Sequence, residues 1–159
     1  MKLIIYALLI FITQFTYATD PQPDDLKVVN DYVNKKISEL SAAESYTKFM
    51  LGDLNSDGVD DIAMLHTMVG IGGMGGNNTS QRLVVFKKTS DGLKYVNEAI
   101  AGSRGSRFLS FESINNGVIT FNSKFYLPLD ARCCPTGKGK VFYKLTRNIV
   151  RELNVAPRS

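Results

Sequence analysis

Leu26, Val29, Val33, Ile37 and Leu40 recur at spacings of three and four residues, with Asp24 and Asp25 ahead of them. That is a helical period with one apolar stripe and acidic residues at the N-terminal end, so a single amphipathic helix is predicted over 25–41. From residue 46 onward the period changes. Short runs rich in Val, Ile, Tyr, Phe and Thr are broken by Gly, Asn and Asp, which predicts strands near 46–51, 62–69, 82–88, 93–97, 107–114 and 118–122. Residues 124–127 extend the last of these, and 140–145 and a short segment near 149–153 follow. Asn116-Gly117 is a hairpin signal and Ser90-Asp91-Gly92 a turn. The segment 62–69 is apolar on both faces, as suits a central strand. The predicted fold is α+β: an N-terminal amphipathic helix packed on one face of a mostly antiparallel sheet of about six or seven strands, in a single domain.

Between the first two strands lies Gly52-Asp53-Leu54-Asn55-Ser56-Asp57-Gly58-Val59-Asp60-Asp61. Counted from Asp53, side-chain oxygens stand at the first, third, fifth and ninth positions on Asp53, Asn55, Asp57 and Asp61, and the Val59 carbonyl falls at the seventh. Calcium takes six to eight oxygens at roughly 2.3–2.6 Å, and Gly58 permits the sharp turn such a loop needs. Three carboxylates held together repel, so a divalent ion would bind there and order the backbone. An Asx-rich turn without metal is the plainer alternative, since these residues form turns anyway. It does not demand this register. An EF-hand would place a bidentate Glu at the twelfth position and continue into a helix. Here that position is Met64, inside a strand, so the expected arrangement is strand, calcium loop, strand.

Other candidate chemistry is thinner. The sole histidine, His66, shares a strand face with Ile62, Met64 and Met68 and is expected to be a core residue, with no Ser or Cys nucleophile beside it. The glycine-rich stretch 70–78 leads into a strand, where a phosphate-cradling loop would open a helix, so it is expected to be a mobile connection able to meet a partner. Ser103-Arg104-Gly105-Ser106-Arg107 is a basic turn in which Arg104 and Arg107 could grip a carboxylate or phosphate of a partner. Cys133 and Cys134 are adjacent: a vicinal disulfide, an intermolecular bridge and a free pair are all open. They lack the two-residue spacer of oxidoreductase motifs.

Residues 3–15 are nearly all apolar, after Lys2 and before Thr16-Tyr17-Ala18. This is the pattern of a secretory signal peptide cut after Ala18, leaving 141 residues (159 less 18) as one domain over 19–159. No membrane anchor is expected after cleavage, and the location expected is periplasmic or secreted. The whole chain carries 19 Lys and Arg against 15 Asp and Glu. Basic residues are concentrated late: 19–100 holds 8 basic and 12 acidic residues, 101–159 holds 10 and 3. Such a surface suits an anionic envelope glycan or an acidic protein; nucleic acid is not an expected partner of an exported chain.

Leu51-Gly52-Asp53-Leu54-Asn55-Ser56-Asp57-Gly58-Val59-Asp60-Asp61 resembles the calcium loop of FG-GAP/VCBS and integrin-type repeats. With the glycine loop, Gly102-Ser103-Arg104, Asn116-Gly117 and Cys133-Cys134-Pro135-Thr136, residues 50–147 are similar to a family of small secreted bacterial domains. The resemblance implies calcium ligation by Asp53, Asn55, Asp57, Val59 and Asp61, and brings no activity with it. FG-GAP repeats usually build propellers, but a propeller needs several blades and this loop occurs once, so a propeller is not expected. The function expected is a noncatalytic exported binding domain stabilised by one calcium ion. An inhibitor or immunity-like protein acting on an envelope enzyme is the alternative, and a metal-dependent hydrolase stands behind both.

Overall fold

A computed structural model describes residues 21–73, 78–131 and 133–153. The expected signal peptide and its cleavage point lie outside the described residues, as do residues 74–77 of the glycine stretch. One helix, α1 (Pro23–Glu39), precedes eight strands: β1 (Ala43–Gly52), β2 (Asp61–Val69), β3 (Ser80–Thr89), β4 (Gly92–Ser103), β5 (Arg107–Asn115), β6 (Val118–Phe125), β7 (Gly137–Thr146) and β8 (Ile149–Glu152). The helix starts two residues before the apolar stripe suggests because Pro23, which needs no N–H partner, sits in its first turn. No helix among the described residues is long and apolar enough to cross a membrane.

The strands form one open antiparallel sheet in chain order, β1 to β8. There are eight strands rather than the six or seven expected. The eighth, β8, lies where the short segment near 149–153 is expected, and its four residues pair with β7 after a turn in which Arg147 and Asn148 both adopt positive φ, 51° and 62°. Only Asn148 of that pair signals such a turn in the sequence. Asn116-Gly117 makes the expected tight turn, with φ of 50° and 71°.

The sheet is folded over. β4 and β5 share a single register position, Ser103 opposite Arg107, so the hydrogen-bond ladder all but stops there and β5–β8 pack face to face on β1–β4. Met50, Ala63, Leu65, Leu83, Val85 and Ala101 from the first half meet Leu109, Ile119, Phe121, Val141, Tyr143, Leu145 and Val150 from the second. On the outer face of the first half, Ile62, Met64, Val84, Phe86 and Leu93 pack against Val29 and Val33 of the helix. Three layers result, helix, half-sheet, half-sheet, with β2 apolar on both faces because it lies in the middle one.

Three local devices hold the fold-over. Gln81, nearly buried on β3, accepts from the Leu109 N–H at 2.6 Å and donates to the Leu109 carbonyl at 3.1 Å. Its amide thus replaces the strand that β5 lacks on that side. Gly102 allows the tight approach: a Cβ there would stand 2.6 Å from the Arg107 carbonyl oxygen and 2.8 Å from Gln81 Oε1. Arg107 Nε donates to the Ala101 carbonyl at 2.8 Å. At the two edges, Gly52 of β1 lies against Ile114 of β5, and the Val150 N–H of β8 donates to Asn97 Oδ1 of β4 at 3.0 Å.

The helix is tied down by charge as well as by its stripe. Lys88 at the end of β3 holds both oxygens of buried Asp25, at 2.6 and 2.8 Å. Glu98 of β4 receives Arg82 at 2.9 Å, Lys36 at 3.2 Å and the Tyr32 hydroxyl. Asp25 and Lys36 therefore serve the interface, whereas the charged side of the helix is expected from sequence to be solvated.

Candidate functional site

An up-and-down meander places its connections alternately at two ends. The 53–60 loop shares one end with the turns at 90–91, 116–117 and 147–148. Residues 71–73 and 78–79 after β2, the 104–106 turn and the described part of the β6–β7 connection (126–131 and 133–136) share the other. Hydrogen bonds join the members of this second group: Arg104 N–H to the Thr79 carbonyl at 3.1 Å, and Tyr126 N–H to the Ser106 carbonyl at 3.3 Å. Gly72 and Gly73 N–H groups reach the Leu40 and Ser41 carbonyls just past the helix, at 2.8 and 3.1 Å. The two segments expected to meet a partner, the glycine stretch and the Arg104 turn, thus gather with the cystine loop at one end, opposite the acidic loop.

The acidic loop is wound around its first residue. Asp53 Oδ1 accepts from the N–H groups of Asn55, Ser56 and Asp57 at 3.2, 2.6 and 3.2 Å, and Oδ2 from Gly58 N–H at 2.9 Å. These donors, Gly58 foremost, hold the Asp53 carboxyl below its usual range and so keep it ionised. Gly58 has φ of 83° and Ser56 of 66°, which curls the chain tightly enough for four successive N–H groups to point inward. Asn55 and Asp57 engage each other: Nδ2 of Asn55 donates to Asp57 Oδ2 at 2.8 Å, and the Asp57 N–H returns to Asn55 Oδ1 at 2.8 Å. Asp57 Oδ1 also accepts from the Val59 N–H at 3.0 Å.

Asp61 differs from the other three. It is fully buried, with Oδ1 accepting from the Lys88 N–H at 3.0 Å and Oδ2 from the Leu54 N–H at 3.3 Å, so it braces the loop against β3. Burial raises its carboxyl above the ordinary aspartate value, and the Lys88 and Leu54 N–H groups work against that rise. In chemistry the donors suit a hard cation, being anionic or amide oxygens with one backbone carbonyl. Among the described residues no three acidic, His or Cys side chains converge on one point. Asn55 and Asp57 would have to exchange their mutual bonds for bonds to an ion.

His66 is fully buried on the helix side of β2, as a core residue is expected to be. Arg107 is not free for a partner. Its guanidinium grips Glu152 in a fork, Nη1 to Oε1 at 2.8 Å and Nη2 to Oε2 at 2.5 Å, and reaches the Tyr143 hydroxyl at 3.0 Å. The bidentate capacity expected of this arginine is spent inside the fold. Hydrogen bonding to Arg107 holds Glu152 below its ordinary value, and burial pushes Tyr143 up to about 12. Arg104 stays exposed on its turn. Cys133 and Cys134 form a vicinal disulfide, with Cα atoms 3.7 Å apart across a trans peptide.

Two features of these regions escape sequence reasoning. Glu98 carries a carboxyl raised by burial, but Tyr32 takes one oxygen while Arg82 and Lys36 share the other, which makes the cluster a tether between helix and sheet. Leu129, almost wholly exposed at 99%, stands at the tip of the 126–136 loop beside half-exposed Leu127. Its only sequence signal is an apolar residue between Pro128 and Asp130, where a solvated loop would carry a polar one. No family model, curated protein or solved structure matches the chain.

Proposed function

We propose that this protein is a noncatalytic exported binding domain in which the 53–61 loop takes one calcium ion and the opposite end of the sheet meets a partner in the cell envelope. The observation that carries this reading is the curl of four backbone N–H groups around an ionised Asp53. Such a curl turns the alternate positions, Asn55 and Asp57, toward one another as a divalent ion requires. Asp53, Asn55, Asp57 and the Val59 carbonyl would hold the ion, and Asp61 would join by giving up the longer of its bonds, that to Leu54 at 3.3 Å. Bound there, the ion would supply charge neutralisation and lock the β1–β2 corner. The likeness to the FG-GAP/VCBS loop points to the same ligands.

The partner end is supported by the gathering of the glycine stretch, Arg104 and the cystine loop on one side of a rigid scaffold. With Arg107 committed to Glu152, the proposal that the 104–107 turn plugs an enzyme rests on Arg104 alone.

Recovery of partners from envelope extract, with calcium and with chelator, tests the arrangement. A structural ion remote from the partner end leaves recovery unchanged until the chelated protein unfolds. Loss of the partner on chelation with the fold intact would contradict it.

A further inference from the structure

The β6–β7 connection combines three properties that a plain solvated loop does not need together. It is braced: Asp130 Oδ2 accepts from the Leu127 and Thr136 N–H groups at 2.7 and 2.8 Å, and Oδ1 from the Thr136 hydroxyl at 2.6 Å. The Cys134 N–H donates to the Ala131 carbonyl at 2.9 Å. It is apolar at its tip: Leu129 is 99% exposed and Leu127 45%, with the cystine exposed alongside. It is also cationic at its root: Lys124 and Lys138 are exposed and directly opposite each other, one register position from the strand ends.

Like charges facing each other across two strands destabilise the pair, and an anion held between or above them relieves that repulsion. A groove of about 400 Å³ opens at this register position, lined by Phe108, Ser110, Asn122, Lys124 and Lys138. The side chains that border it include two lysines, a serine and an asparagine beside Phe108, chemistry that suits a phosphate group attached to something apolar. Because the tip is already held in shape, burying Leu129 costs little ordering entropy.

We infer that the Leu127–Asp130 end of the β6–β7 connection is a membrane-docking tip: Leu129 and Leu127 enter the acyl region of an anionic bilayer while Lys124 and Lys138 hold its phosphate headgroups. Apolar insertion and basic attraction are each weak alone and together give reversible attachment. The inference rests on the binding-domain reading above and names its partner as a lipid surface rather than a glycan or a protein. It does not involve the acidic loop at the other end, so calcium uptake and membrane docking can fail separately.

The chain contains no tryptophan, so Leu129→Trp in the full chain gives a single reporter. Its emission is read with vesicles of phosphatidylcholine alone, and with vesicles that also contain phosphatidylglycerol and bromine-labelled acyl chains. A second chain carries Ile149→Trp, exposed beside the turn at the opposite end, and controls for attachment through any other part of the protein. The expected result is a blue shift and bromine quenching at position 129 on anionic vesicles only, with position 149 unchanged. Adding Lys124→Gln and Lys138→Gln should weaken that partition roughly 25-fold, at about fivefold per lysine. No shift at position 129 on anionic vesicles, the outcome if the tip seats in a protein groove, overturns the inference. So does an equal shift on neutral vesicles, equal quenching at 149, or an undiminished response after both lysines are replaced.

Discussion

Replacing Gln81 by leucine should be strongly destabilising. The side chain is similar in volume, so little packing is lost. What disappears is the pair of bonds to the Leu109 N–H and carbonyl, at 2.6 and 3.1 Å, where no β4 residue stands opposite to replace them. An unpaired buried polar group costs about 1–3 kcal/mol. Two of them give a loss of about 2–6 kcal/mol, out of the 5–15 kcal/mol or so that stabilises a typical domain. Urea denaturation measures it: with m about 2 kcal/mol per M, the midpoint should fall by roughly 1–3 M. Thr67→Val removes only the 3.3 Å bond from Gln81 Nε2 to the Thr67 hydroxyl and should cost less than about 1 kcal/mol. If Gln81→Leu moved stability by less than about 0.5 kcal/mol at unchanged m, the folded-over sheet would be held by packing alone, and the role given to this amide would be wrong.

Two further outcomes are expected. Glu152→Gln breaks the fork with Arg107 and should cost about 1 kcal/mol once screening at this part-exposed site is allowed for. Because the Glu152 carboxyl is lowered in the folded protein from its ordinary 4.5, its contribution is complete above that pH and is lost as pH falls through the folded value; the stability curves of the wild type and of the Glu152→Gln variant, measured from pH 7 downward, should therefore converge in acid. Changing Cys133 and Cys134 together to serine should shift the unfolding temperature by no more than a degree or two, since a bond between chain neighbours removes almost no freedom from the unfolded chain. A large loss would mean that the cystine, and not the Asp130 network, holds the loop.

Much of the scaffold is legible in the sequence because it is written locally. Val29 and Val33 announce the helix and are among its buried residues; Asn116-Gly117 announces a hairpin and makes one. Strand ends are less legible. β4 runs on to Ser103 through Ala99 and Ile100, where alternation is broken by bulges against β3 that no residue type signals. Tertiary pairings are not legible at all: Arg107 meets Glu152 from 45 positions away, and Glu98 meets Tyr32 from 66. The same holds for the candidate site. Spacing alone picks out Asp53, Asn55 and Asp57 as one unit, and the loop does turn on Asp53. That Asp61 would be buried against the Lys88 N–H depends on β3, 27 residues later. Arg107, which the sequence leaves open to a partner, is instead engaged within the chain for a similar reason: a carboxylate from the last strand comes to meet it.

The oxygen-rich loop carries the central proposal, and calcium titration calorimetry addresses it most directly. Chelator-treated protein titrated with calcium should take up one ion per chain, and Asp57→Ala should abolish the heat, since that carboxylate lies at the centre of the loop's mutual bonds. At a free calcium concentration one hundredfold above Kd the folded state should gain about 2.7 kcal/mol, seen as a rise of roughly 5–15 °C in Tm. No heat at millimolar calcium, with Tm unmoved, would show that the loop is an Asx-rich turn closed on its own N–H groups and would contradict the calcium reading.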